Sequence, residues 1–488
     1  MVKKILISIS YLYLLFHTSC STPYKANQNL SPDAILLYNA RIININNGNI
    51  AENKSILIDK GLIKRIGNFA DFKNLIPLSQ QKNVENKYII PGLWDMHVHI
   101  EGEDLIEDNK ALFPVYIAYG ITTVRDMASD LGVQVLAWRE QIKQKQLLGP
   151  EIYTAGRKLE GVNSIWKGDL EIANETELRT AMDTLDAYKV DLIKITENTL
   201  SGDLFIKSVR EAKRRGYKVS GHVPIDVTIK DLAEAGFSSI EHASYLLRLG
   251  SNEEKIVQLL ARSSITRAAA NQSYTTNFNQ DTANKAYAHL AKTFVAVTPT
   301  LIGGKQLAYL AENPHTNDPF LQYLTKRFTS KYQWRIDRMA NETPEQKQRR
   351  KEQYELILKQ IPFIQKAGIP ILAGSDAAAL NTYVYPAQSL HEELVLFQEA
   401  GLTPLQILQT ATINGAKFMG KMMEKGTIDP EKDADLLILN TNPLKNIKAT
   451  QDIHAVVNNG QYFDRKALDA LLEKAKQVKL SLDKERGE

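Results

Sequence analysis

The sequence predicts an α/β fold: a TIM (β/α)8 barrel with a small composite β-sandwich domain made from both ends of the chain. Three observations carry this. A long middle, residues 91–424, alternates apolar strand-like runs with amphipathic helical stretches. The strand-like runs number eight, as a closed parallel barrel requires. Short alternating β segments flank the middle on both sides, at 34–90 and 425–465. The 488 residues allow a large domain of about 200–400 residues and a smaller one.

Residues 1–20 read as an export signal. Lys3 and Lys4 precede the apolar stretch ILISISYLYLLF, and small residues follow in HTSC. Cys20 is the only cysteine, so the mature chain has no intramolecular disulfide to offer. The pattern resembles a bacterial lipoprotein signal, which implies lipidation of Cys20 and a membrane anchor in the cell envelope. His17 departs from the usual leucine three residues before the cysteine, and an ordinary secretory signal is the alternative. Residues 21–33 are polar and read as a tether.

The first β piece holds AILLYNARIIN and SILIDKGLIKRIG, with turn signals at the Asn-Gly of NNGN and the Lys-Gly of DKG. The barrel strands are placed at 93–100, 121–127, 151–156, 190–196, 217–223, 238–243, 294–301 and 369–376. Helical stretches such as ETELRTAMDTLDAYK and SGDLFIKSVREAKRRG lie between them. Two stretches, near 246–292 and 303–366, exceed an ordinary connection; they read as helical insertions and candidates for a lid. The second β piece holds DADLLILN and HAVVNNGQYF. Residues 466–488 read as a solvated amphipathic helix and tail. The formal net charge of +4 is small for this length and predicts no nucleic-acid partner.

Chemistry in such a barrel sits at the C-terminal ends of its strands. Strand one ends with His97 and His99, which alternation places on one face. Strand four carries Lys194, strand five ends with His222, strand six with His242 and strand eight with Asp376. Buried imidazoles and charges need partners, so six such groups around one rim point to a shared purpose. Lys194 has an alternative as an ion-pair partner of Asp191 or Glu197, and Asp376 as an N-cap. Arg125, Asp126 and Glu241 also lie near strand ends, as candidates to anchor substrate or to form structural ion pairs. His391, in LHEEL, reads as a histidine supporting the ligands or the structure. His289, His315 and His454 lie off the pattern and are expected at the surface; Met422 and Met423 are expected to pack.

Taken together, PGLWDMHVH, GITTVRDM, VDLIKI, GHVP, SIEHAS, LAGSDA, LHEELVLFQEAGLTPLQILQTATINGAKFMG and GTIDPEKDADLLILNTNPL resemble the amidohydrolase superfamily over roughly residues 34–465. The resemblance implies a centre of two divalent metal ions, usually zinc. It would place one on His97, His99 and Asp376 and the other on His222 and His242, with Lys194 bridging both as a carbamate. A carbamate supplies two anionic oxygens where an ammonium supplies none, and neutral imidazole suits zinc. Metals about 3.5–4 Å apart would share a hydroxide that attacks a C–N (amide or cyclic amide) bond, with Asp376 as general base and then acid. A peptide or N-acyl amino acid is the expected kind of substrate. A lactone or phosphotriester is the alternative on the same centre, and an inactive envelope-anchored binding lipoprotein is a reading from another class.

Some dipeptide-cleaving members of this family carry a TGGH-like segment after strand three and a glycine pair after the strand-four lysine. The corresponding segments here are AGRKLEGVN and IKITENTLSG, and neither matches. The sequence looks closer to the imidazolonepropionase-related group, and motifs do not carry substrate identity.

Overall fold

The structure is a computed structural model that describes residues 30–488. Cys20, the export segment and most of the tether lie outside the described residues. Five strands come first: β1 (Ile35–Ile43), β2 (Ile50–Asp59), β3 (Leu62–Gly67), β4 (Gln81–Asn83) and β5 (Tyr88–Pro91). The Lys-Gly turn forms as its residues suggest. Lys60 and Gly61 both have positive φ (52° and 82°), the primed two-residue geometry that matches strand twist and lets β2 pair with β3.

The barrel strands are β6 (Leu93–Val98), β7 (Ile121–Asp126), β8 (Glu151–Thr154), β11 (Ile193–Ile195), β12 (Val219–Gly221), β13 (Ser239–Glu241) and β14 (Ala296–Thr298). Two short strands, β9 (Leu159–Glu160) and β10 (Leu170–Glu171), stand in the long connection after β8 and were not expected from the sequence. Pairing is parallel from β6 to β8 and from β11 to β14. The Asp191 amide donates to the Thr154 carbonyl at 2.9 Å and joins the two groups.

The expected eighth strand, 369–376, occupies its position but forms only isolated bridges, Val297 to Ile371 and Val98 to Ala377. The Met96 amide donates to Ala373 and the Asp376 amide to the His97 carbonyl, so the ring of eight segments closes. A regular ladder is interrupted because Pro370 has no N–H and Asp376 adopts φ 62°. Gly374 allows the close approach: a Cβ there would stand 2.5 Å from Thr298 and 2.8 Å from the Cβ of His97.

Both long stretches are helical. The first holds Glu253–Ala261, Arg267–Thr276 and Gln280–Leu290; the second holds Gln333–Ala340 and the longer Pro344–Ala367. Pro344–Ala367 starts in a Thr343–Gln346 capping box and stops at Gly368 in the left-handed region.

The chain then returns to the first sheet with β15 (Leu436–Leu439), β16 (Ile453–Asn458) and β17 (Gln461–Asp464). β15 pairs antiparallel with β5, so strands from both ends form one hydrogen-bonded sheet. Alternate residues, among them Leu37, Ile56, Ile89, Leu436 and Val457, pack on one another as its own core.

The last helix, Arg465–Arg486, corrects the expectation of a solvated tail. Leu468 and Ala475 are buried in the main core, and Arg486 pairs with buried Asp108 at 2.6 Å. His315 is also corrected. It is buried, holds Asp318 at 2.7 Å and stacks on Tyr383. His289 is exposed and His454 half-buried. Among the described residues, no helix is long and apolar enough to cross a membrane.

Candidate metal centre

Four histidines, Lys194 and Asp376 meet at the C-terminal end of the barrel. His97 is the last residue but one of β6 and is fully buried; His99 follows the strand. Their Nε2 atoms lie 3.3 Å apart, and Asp376 Oδ1 is 3.3 Å from each. Each ring has its Nδ1 occupied: His97 by Glu241 Oε2 at 2.8 Å, His99 by the Ala128 carbonyl at 3.0 Å. Both partners are acceptors, so both rings carry their proton on Nδ1 and present a bare Nε2. Two lone pairs and a carboxylate oxygen thus converge with no donor between them, an arrangement a cation resolves.

The second pair repeats this. His222 follows β12 and His242 follows β13, with their Nε2 atoms 3.2 Å apart. Glu197 holds His222 Nδ1 at 2.8 Å, and Tyr245 donates its hydroxyl to Glu197 at 2.7 Å. Thr300 Oγ1 stands 2.7 Å from His242 Nδ1. The pairs adjoin, with 5.2 Å between the His97 and His242 ring centroids. His97, His242 and Asp376 alone can offer three ligand atoms within 4.8 Å of one another.

Local backbone serves this convergence. His242 and Asp376 sit at φ 75° and 62°, which costs non-glycine residues energy and is held by the surrounding contacts. Gly221 precedes His222 because a Cβ there would stand 2.0 Å from the Ile195 carbonyl oxygen.

Lys194 lies between the pairs on β11. It is buried, and its Nζ has no hydrogen-bond partner. Burial pushes its pKa down to about 8. The alternative of an ion pair with Asp191 or Glu197 is not realised. Asp191 holds Arg139 and the Thr154 amide, both at 2.9 Å, and Glu197 holds His222. An orphaned amine whose proton burial loosens fits conversion to a carbamate, whose oxygens would take up cations at this rim.

Burial favours the neutral form of His97 and His242, whereas at His99 burial is outweighed by the Asp376 and Glu101 carboxylates, which raise its pKa. Burial lowers the pKa of His97 to about 4 and that of His242 well below its ordinary value. Burial raises that of Asp376, and positive charge on the adjoining His97, His99 and His242 rings holds the carboxyl below its usual range, a role a bound cation would take over where those rings are neutral.

Arg125 and Glu241 are fully buried behind His97 and do not reach the cavity. Arg125 donates to both Glu241 oxygens at 2.9 Å and to the Met96 carbonyl at 2.6 Å. They fix the His97 ring. Asp126 accepts from Thr154 Oγ1 and the Ile100 amide. His391 lies apart from the centre, between Thr450 Oγ1 (3.0 Å) and the Tyr119 carbonyl (2.8 Å).

The centre opens into a cavity of about 770 Å³. Trp166, from the connection after β8, meets Trp334, from the insertion helix Gln333–Ala340, edge to face at 5.7 Å. Trp334 Nε1 donates to the Leu380 carbonyl at 3.1 Å, so the second insertion is tied over the cavity. Sequence reasoning missed these tryptophans, Arg335, Tyr245 and Thr300, and it named Glu197 only as an alternative partner of Lys194, not as the partner of His222. Only the position of Glu197 and Tyr245 just past strand ends could have flagged them.

Residues 88–462 match the model of the amidohydrolase family. An ochratoxinase from Aspergillus niger is 22% identical over 467 residues, covering 84% of this chain and 82% of that protein. The solved bottromycin amidohydrolase superposes with a TM-score of 0.69 at 18% identity, covering 93% of this chain and 92% of the other. A solved Xaa-Pro dipeptidase with bound methionine gives a TM-score of 0.64 at 19% identity, covering 88% and 100%. The structural matches show the fold, and the family match spans the barrel together with the strands that flank it: the chain belongs to the amidohydrolase family.

Proposed function

We propose that the chain is a metal-dependent hydrolase of C–N bonds in amides or cyclic amides, acting on a short peptide or an N-acyl amino acid. The convergence of bare imidazole nitrogens, Asp376 and an unpartnered Lys194 Nζ at one cavity carries the reading. His97, His99 and Asp376 would hold one divalent ion and His222 and His242 the other, with Lys194 as a carbamate shared by both. Zinc suits this nitrogen-rich set. Bound there, the ions would acidify water and polarise the scissile carbonyl.

The chain's own residues do the rest. Asp376, ionised across the neutral range, takes the proton of the attacking water at a carboxylate oxygen and delivers it to the leaving amine nitrogen. Glu241 and Glu197 keep the proton of His97 and His222 on Nδ1. The two tryptophans and the insertion helix narrow access of water. Protein purified from zinc-supplemented cells should contain close to two zinc ions per chain by elemental analysis; a chain that binds none sinks the reading.

The N-terminal segment supports a proposal that the protein is exported and anchored in the cell envelope through a lipid on Cys20. Cys20→Ser should then move the protein from the membrane fraction to the soluble one on fractionation. Retention of that variant in the membrane fraction overturns the anchor.

A further inference from the structure

Arg335 lines the cavity and has no part in the metal centre. It lies on the insertion helix Gln333–Ala340, lines the same cavity as His99, His222 and Asp376, and is half-buried. Among the described residues its guanidinium has no ion pair or side-chain hydrogen bond; its one close contact is the face of Trp334 at 5.1 Å. Two other cations of the wall are already neutralised, Lys158 by Asp169 at 2.9 Å and Lys331 by Asp104 at 2.6 Å, while Lys167 is exposed on the same wall. Asp376 and Glu101 lie close enough to attract Arg335 and Arg338 close enough to repel it, but among the described residues no carboxylate forms an ion pair with it. Five N–H donors in a fixed planar fork are thus turned toward the cavity without acceptors.

We propose that Arg335 binds the carboxylate of the substrate's amine-side half, so that the enzyme selects amides ending in a free α-carboxylate. A carboxylate matches the fork with two parallel charge-assisted hydrogen bonds. Trp166 and Trp334 stand beside it as an apolar wall for the side chain of the same residue. The other end of that residue, its acylated nitrogen, faces the centre, where Asp376 supplies the proton to the departing amine. This assignment rests on the amide-hydrolase reading for the scissile bond. The carboxylate contact itself is a matter of binding. Arg335 is then a specificity residue, and Lys in its place supplies charge without the fork.

The test uses the zinc-loaded full chain, calorimetric titration, and matched pairs of N-acetyl-L-amino acids and their carboxamides, with N-acetyl-L-leucine as the first pair. The wild type should bind the free acid at least about tenfold more tightly than the carboxamide, a gap of ~1.4 kcal/mol. Arg335→Ala should erase that preference by weakening the acid alone, and Arg335→Lys should restore only part of it. In turnover, Arg335→Ala should raise KM for the acids far more than it lowers kcat. Equal or absent binding of acid and amide by the wild type overturns the assignment, as does a preference that survives in Arg335→Ala. Binding preference without hydrolysis by the wild type would instead overturn the amide-hydrolase reading and leave the carboxylate site standing.

Discussion

In the proposed reaction Asp376 does two things at once: it sits 3.3 Å from two imidazole nitrogens and shuttles a proton. Its carboxylate is the only one that contacts both His97 and His99 among the described residues. Asp376→Asn keeps shape and hydrogen bonding but cannot accept the proton, so turnover should fall about 10²–10⁴-fold. Far-UV circular dichroism and Tm should stay near wild type, which separates loss of chemistry from loss of fold; full activity in this variant would remove Asp376 from the mechanism. The convergence of the candidate ligands was legible because strand alternation and strand-end position are properties of local sequence: His97, His99, Lys194, His222, His242 and Asp376 all reach the rim. The residues that orient them were legible only in part: Arg125 and Glu241 stood out by strand-end position, but Thr300 and Tyr245 did not, and none of their partners could be read. Thr300 meets His242 across 58 positions and Glu241 meets His97 across 144, contacts that exist only once the ring has closed.

Elements were legible where periodicity is strong and obscure where a few contacts substitute for a ladder. The expected helices at 175–189 and 201–216 form as Glu175–Tyr188 and Gly202–Arg214, capped by Asn174 and Ser201. The eighth strand does not become regular, because Pro370 and the turn into Asp376 break its pairing. His391, on the helix Gln388–Ala400, shows how one buried side chain couples elements, since it ties that helix to Tyr119 and Thr450. Burial lowers its pKa from 6.5 to about 4. Between those values the unfolded chain binds more protons at this position, so stability falls as pH falls. The slope from one such group reaches at most ~1.4 kcal/mol per pH unit. Tm of the metal-free protein, followed from pH 7 down to 4, should therefore drop more steeply in wild type than in His391→Gln; parallel curves would show that His391 does not titrate this way.

At the scale of the whole molecule, both ends of the chain return to the same place. β5 and β15 pair to make one sheet, which the flanking β segments made readable. The docking of the last helix was not readable, because the apolar stripe of ALDALLEKAKQVKLSLDKERGE does not say what it packs on and the helix end is sealed by polar pairs. Asp483 caps the Lys326 amide, Arg327 holds Glu488, and Arg486 forks onto Asp108 with bonds of 2.9 and 2.6 Å. Asp108 is 3% exposed and sits on the helix Ile106–Ala118, directly beyond the first barrel strand. Its other partner is the Thr325 hydroxyl. Arg486→Ala would leave that carboxylate buried without its counter-charge. Breaking such a pair costs ~3–5 kcal/mol when both partners are buried. The Arg486 side chain is 14% exposed, so the loss belongs at the low end of that range. Urea unfolding should show it as a lower midpoint with an unchanged slope. Asp108→Asn combined with Arg486→Ala should recover part of it, because the double variant no longer strands a charge. A single variant within ~0.5 kcal/mol of wild type would mean that the C-terminal helix rests on its apolar face alone.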